Sequence, residues 1–139
     1  MTTARDIMHS GATCIQENET LRTAALRMKE LGVGALPICG EDDRLHGMVT
    51  DRDIVVKCLA KGKDPGTVPA GWLEQGKPVT IDAGADAGQV LLTMEEHRIR
   101  RLPVIDDHRL VGMISEADLA RHLPADQVGR FVENVCAVP

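Results

Sequence analysis

Aromatic side chains are almost missing from this chain: its 139 residues include one tryptophan, Trp72, one phenylalanine, Phe131, and no tyrosine. Modules that hold single-stranded nucleic acid stack bases on aromatic faces, so this composition argues against that class of function. An excess of positive charge is missing too. The formal net charge of -5 gives no general attraction to a phosphate backbone, and no nucleic-acid partner is expected. No apolar run approaches the roughly 20 residues that a bilayer-spanning helix needs. The opening Met1 to Asp6 has neither the basic start nor the apolar centre of a secretion signal. No membrane partner is therefore expected, and the expected location is cytoplasmic.

Metal and catalytic signatures are equally sparse. Cys14, Cys39, Cys58 and Cys136 are scattered without a CxxC pair, which weakens any zinc-finger reading. His9, His46, His97, His108 and His122 form no HxxxH pattern and no Cys/His cluster, so no metal ligands and no required cofactor are expected. No nucleophile–base spacing, no glycine-rich phosphate loop of the ATPase type and no paired carboxylates stand out. An enzyme is not expected.

What is present is ordinary globular material, 43% hydrophobic and 27% charged, with a core that must be built from Leu, Ile, Val, Met and Ala. It is also duplicated. The run from Thr20 to Met28 returns as Asp86 to Met94, and Ala35-Leu-Pro-Ile38 returns as Arg101-Leu-Pro-Val104 in the same register. Leu45 to Ile54 returns as Leu110 to Leu119 with one residue dropped near Asp107. Two long stretches in register mark a repeat.

Each copy reads as β-α-β-β-α. Short strands begin at Cys14-Ile15 and at Val79-Thr80-Ile81. Thr20 and Asp86 are good helix N-caps before apolar stripes at Leu21, Ala24, Ala25, Met28, Leu31 and at Ala87, Val90, Leu91, Met94. Two β-rich runs follow in each copy, Leu36 to Cys39 with Leu45 to Thr50, and Leu102 to Ile105 with Leu110 to Ser115. Closing helices are expected over Asp51 to Ala60 and Glu116 to His122. The boundaries expected are a first repeat over 1–61, a Gly/Pro/Lys-rich linker over 62–71, a second repeat over 72–123 and a helical tail over 124–139. Val128, Phe131, Val132 and Val135 give that tail an apolar stripe that must pack somewhere. Met28, Met48, Met94 and Met113 fall at matched positions and read as core filler.

The twice-repeated string Gly-hydrophobic-hydrophobic-Ser/Thr-x-x-Asp follows a hydrophobic-Pro-hydrophobic strand. It occurs as Gly47-Met-Val-Thr50-Asp-Arg-Asp53 and Gly112-Met-Ile-Ser115-Glu-Ala-Asp118. In this the chain resembles the cystathionine-β-synthase (CBS) domain family, as a tandem pair with nothing else attached. The opening Met-Thr-Thr-Ala-Arg-Asp-Ile-Met and the run Gly34 to Gly40 look like the actinobacterial hypoxic-response type. The resemblance implies an α/β fold in which two repeats related by a pseudo-two-fold axis form clefts that often take adenine nucleotides. It implies a non-catalytic, regulatory, stress-related module, and a disc-like homodimer with an unknown protein partner.

Carried over residue by residue, the family pattern gives Asp53 and Asp118 the ribose hydroxyls. It gives Thr50 and Ser115 the phosphate, at helix starts where free N–H groups and the dipole favour an anion. Residues around Cys14 and Thr80, with Pro37-Ile38 and Pro103-Val104, would line the base pocket. A basic residue three positions before the strand proline often meets phosphate in this family; here it is Arg100 in the second copy but Gly34 in the first. Unequal sites are therefore expected, the better one formed by Arg100, Ser115 and Asp118, with Arg52 a weaker candidate to help the first.

Plainer explanations stand beside these. Thr50 to Asp53 and Ser115 to Asp118 also fit helix caps, and a residue can cap a helix and still meet a ligand. Arg100 also fits a solvated surface arginine. Cys14 and Cys39 lie on strands that should run parallel and side by side, so a disulfide or redox-switched pair is one reading and two buried thiols the other. A dimeric interaction module without nucleotide, modulated through Cys14 and Cys39, is the alternative to ligand sensing.

Overall fold

The structure, a computed structural model, describes residues 1–42, 44–74 and 78–136. Residues 75–77 of the expected second repeat and the last three of the expected tail lie outside the described residues. In chain order the elements are α1 (Ala4–Ile7), β1 (His9–Ser10), β2 (Ile15–Gln16), α2 (Leu21–Leu31), β3 (Ala35–Cys39), β4 (Leu45–Thr50) and α3 (Asp51–Asp53). The helix begun by α3 continues as a π-helical turn over Ile54–Cys58 and a 3₁₀ turn over Leu59–Lys61, and a second 3₁₀ turn spans Ala70–Leu73. Then come β5 (Ile81–Asp82), α4 (Ala87–His97), β6 (Arg101–Asp106), β7 (Arg109–Ser115), α5 (Glu116–His122) and α6 (Ala125–Val135). These make two α/β units, one of Thr13–Pro78 and one of Val79–Pro139 together with Met1–Ala12.

In the Thr13–Pro78 unit, β3 is the middle strand, parallel to β2 and antiparallel to β4. Thr20 caps α2 by accepting from the Thr23 N–H, and Gly32, at φ 68°, ends it in the left-handed region. The buried face of α2 is narrower than the expected stripe. Leu21, Ala24 and Met28 go in, whereas Ala25 and Leu31 are exposed. They pack with Ile15, Leu36, Ile38, Val49 and Ile54.

The stretch expected as a linker, 62–71, is instead bound to this unit by backbone hydrogen bonds. The N–H groups of Leu21 and Arg22 donate to the carbonyls of Val68 and Pro65, and those of Ala70 and Gly71 donate to the carbonyls of Glu19 and Glu17. The first-turn donors of α2 need acceptors, and this segment supplies them.

In the other unit the strands run β1-β7-β6-β5, with β5 parallel to β6 and the remaining pairs antiparallel. The hairpin turn between β6 and β7 is two residues long, Asp107 and His108, at φ 50° and 65°. That is the tight hairpin geometry with positive φ at both central positions, and it is where the second repeat is one residue shorter. Arg98, at φ 52°, ends α4 as Gly32 ends α2.

The opening Met1–Ala12, the start of the expected first repeat, packs within the unit of Val79–Pro139. The N–H groups of Ala4 and Arg5 donate to the carbonyls of Ala85 and Ala83, and β1 pairs with β7. Gly112 makes this possible, because a Cβ there would come within 2.5 Å of Met8 Sδ and 2.7 Å of the His9 carbonyl oxygen. The expected tail is no appendage either: Phe131 and Val135 of α6 are buried in one cluster with Ile7, Met94, Leu102 and Leu119. Met28, Met94 and Met113 are buried and Met48 half-buried, as core filler should be.

Candidate functional site

Both copies of the Ser/Thr-x-x-Asp string sit where a strand turns directly into a helix, and both form reciprocal caps. The Thr50 hydroxyl accepts from the Asp53 N–H at 3.1 Å while Asp53 Oδ2 accepts from the Thr50 N–H at 3.2 Å. At the second copy, Asp118 Oδ2 accepts from the Ser115 N–H at 2.8 Å and from the Ser115 hydroxyl at 2.9 Å. The cap reading is therefore present at both ends, and it holds each acid in a defined rotamer at a helix start.

The two acids differ in what else holds them. Asp53 keeps 22% of its side-chain surface and, beyond Thr50, has one ion-pair partner among the described residues, Lys57 Nζ at 3.3 Å. Asp118 keeps 3%, with His9 Nδ1 at 2.7 Å from Oδ2 and Arg121 at 3.2 Å from Oδ1. Arg100, expected to complete the better phosphate site, instead lies with its Nε 3.4 Å from Glu116 and a terminal nitrogen 3.1 Å from Cys136 Sγ. Of the two acids, Asp53 is the more exposed. Thr80 is half-buried just before β5. Pro103 is buried, and Val104, like Ile38, is fully buried in the core.

Burial opposes ionisation of Asp118, but the hydrogen bonds from Ser115 and His9 outweigh it and hold the carboxyl below the ordinary aspartate range. A carboxyl depressed in the folded state contributes stability that is complete above its unfolded value, near 3.8, and is lost as pH falls through the folded value. Urea unfolding followed from pH 6 to pH 2 should therefore lose stability below about pH 4. Part of that acid loss should be absent in Asp118→Asn; an identical acid limb would show that the carboxylate is not held this way.

Cys14, immediately before β2, is joined to Cys39, at the end of β3, by a disulfide with Cα atoms 5.6 Å apart. Just beyond this bond is a grouping that sequence spacing did not reveal. One ligand atom each from Glu17, His46 and Glu74 lie within 4.8 Å of one another. Glu17 follows β2, His46 is on β4, and Glu74 follows the 3₁₀ turn of Ala70–Leu73. His46 Nδ1 is 3.4 Å from Glu17 Oε1, and His46 Nε2 is 3.1 Å from Asp42 Oδ1.

Burial, then the hydrogen bond with and the charge of Glu17, push the Glu74 carboxyl above the ordinary range. The hydrogen bond with Asp42 raises His46 against an opposing effect of burial, with Glu17 adding to the rise. The groove beside them, roughly 490 Å³, is lined by residues that include Glu17, Gly40, Asp42 and His46. The three candidate ligands come from different strands and turns, so no local pattern could have announced them.

Comparison with known proteins adds the following. The CBS domain model matches residues 4–59 and 75–125. The chain is 57% identical over 137 residues to hypoxic response protein 1 of Mycobacterium tuberculosis, covering 99% of this chain and 96% of that protein. A crystal structure of hypoxic response protein I with two coordinated zinc ions superposes with a TM-score of 0.82 at 60% identity, over 88% of this chain and all of that one. The CBS domain pair of the protein MJ0100, solved in complex with 5′-methylthioadenosine and S-adenosyl-L-methionine, superposes with a TM-score of 0.77 at 26% identity, over 87% of this chain and 94% of that one.

Proposed function

This chain belongs to the CBS domain family, and on that premise we propose that it is a non-catalytic regulatory module that binds an adenosyl ligand at its strand-to-helix turns. The observation that carries the reading is the pair of matched caps, Thr50 with Asp53 and Ser115 with Asp118, each presenting a hydroxyl and a carboxylate at a helix start. The solved family pair that holds 5′-methylthioadenosine and S-adenosyl-L-methionine supports the choice of ligand class. Asp53 takes ribose hydroxyls first, because it is the less engaged acid. At Asp118 a ribose hydroxyl replaces His9 as the partner of Oδ2. A regulatory effect follows if ligand has different affinity for two states of the module.

Calorimetric titration with 5′-methylthioadenosine, S-adenosylmethionine, AMP and ATP tests this. At least one is expected to bind, and Asp53→Ala to weaken it at least about tenfold, as removal of a hydrogen-bonded carboxylate should. No binding by any of the four would remove the reading.

A second reading, a homodimeric interaction module, is favoured by Val55, Val56 and Leu59, which are 56%, 44% and 51% exposed on the turns after α3. Neighbouring apolar side chains in water suit a second copy. Silence in the titration together with concentration-dependent sedimentation would favour this reading over the first.

A further inference from the structure

We infer that His9 is an internal occupant of the Ser115–Asp118 turn: its imidazole holds the carboxylate that a ribose hydroxyl needs there, and so sets the order in which the two turns fill. The inference rests on the adenosyl reading and names the residue that regulates its second site.

The accounting of acceptors leads to it. Asp118 Oδ2 already takes the Ser115 N–H at 2.8 Å, the Ser115 hydroxyl at 2.9 Å and His9 Nδ1 at 2.7 Å. An ionised carboxylate only accepts, so Nδ1 carries the proton, and an oxygen with about two lone pairs has none left for a further donor. Oδ1 is met by Arg121 at 3.2 Å, and the side chain as a whole keeps 3% of its surface. A ligand hydroxyl therefore cannot simply be added to Oδ2; it has to displace a donor. The two Ser115 donors belong to the helix cap. His9 is the donor from outside the cap, 109 residues away in sequence. Its side chain is 50% exposed, so the ring can turn into water without leaving a buried group unpaired.

Asp53 is the internal control. Its Oδ2 accepts from the Thr50 N–H at 3.2 Å and its Oδ1 meets Lys57 at 3.3 Å, and no histidine reaches it among the described residues. The same cap thus stands with a lone pair free in one copy and filled in the other. The segment carrying His9 is built to bring the ring in and to let it go. Upstream, Ala4 and Ile7 of α1 are fully buried and anchor the segment. Downstream, Gly11 takes φ 76°, and a Cβ there would meet nothing within 4 Å beyond its chain neighbours. Between these ends β1 is two exposed residues, with His9 opposite Met113 of β7. Filling of the second turn frees that ring.

Amide shifts followed during addition of 5′-methylthioadenosine read the affinity of each turn separately in the parent and in His9→Ala. The variant should bind about tenfold more tightly at Ser115 to Asp118, the scale of one charge-assisted hydrogen bond, and as the parent does at Thr50 to Asp53. Ser10→Ala, in the same strand, should match the parent at both turns, which separates a lost ring from a loosened strand. Carbon-13 titration of the Asp118 carboxyl without ligand gives a readout independent of binding. Against burial, and together with the Ser115 bonds, His9 holds that carboxyl below the ordinary range, so His9→Ala should move its titration upward. An unmoved titration, or equal affinity of the second turn in parent and variant while the first turn binds in both, would overturn the role of His9 and leave the adenosyl reading standing. No binding at either turn in either protein would remove both together.

Discussion

Phe131→Ala is expected to lower the unfolding free energy by about 4 kcal/mol, the scale for removing a large aromatic ring from a packed interior. Phe131 is fully buried, and with Val135 it carries α6 into the cluster formed by Ala4, Ile7, Met94, Leu102 and Leu119. The chain has no tyrosine and only one other aromatic, so no neighbouring ring can swing in to fill the space. Val132→Ala, one residue along but 42% exposed, should cost under about 1 kcal/mol. Urea denaturation of the two variants measures the difference directly. Nearly equal midpoints would mean that α6 is not docked, and that the apolar stripe visible in the sequence packs elsewhere.

Reduction of the Cys14–Cys39 bond is the second large effect. The bond closes a sequence separation of 25 residues, and a cross-link over a loop of that size restricts the unfolded chain by about 3 kcal/mol. The native consequence is local. The bond ties Cys14, just before β2, to the end of β3, and the N–H of Glu17, just after β2, donates to the Cys39 carbonyl at 3.2 Å. Stability with and without dithiothreitol should therefore differ by about that amount in the parent. In the Cys14→Ala/Cys39→Ala double variant reductant should change nothing. A parent indifferent to reductant would show that the bond contributes nothing, and four reactive thiols in unreduced, denatured protein would show that it is not formed in solution.

Much of the fold was legible because a duplicated sequence states everything twice. The repeat of Leu-Pro-Ile38 as Leu-Pro-Val104 located β3 and β6, and the caps at Thr20 and Asp86 opened α2 and α4 where expected. What the sequence hid was contact between distant segments. β1 is only two residues long, His9–Ser10, too short for any periodicity, so nothing marked it as the partner of β7 or His9 as the neighbour of Asp118. The 62–71 stretch contributes backbone carbonyls and N–H groups, which every sequence has.

The candidate site divides in the same way. The Thr50–Asp53 and Ser115–Asp118 pairs were visible as a spacing, whereas their unequal engagement depends on Lys57, His9 and Arg121. The family pattern records residue identity and not the ion pairs that Asp118 and Arg100 make. Glu17, His46 and Glu74 became neighbours only once β2, β4 and the 3₁₀ turn had folded around them.

The central claim is that adenosyl ligands are read at the two strand-to-helix turns. Amide shift mapping of the isotope-labelled protein during addition of 5′-methylthioadenosine tests it most directly. The account predicts that the amides of Thr50 to Asp53 move at low ligand and those of Ser115 to Asp118, together with His9, at higher ligand. Saturable shifts confined to other parts of the chain, or none at millimolar ligand, would contradict it.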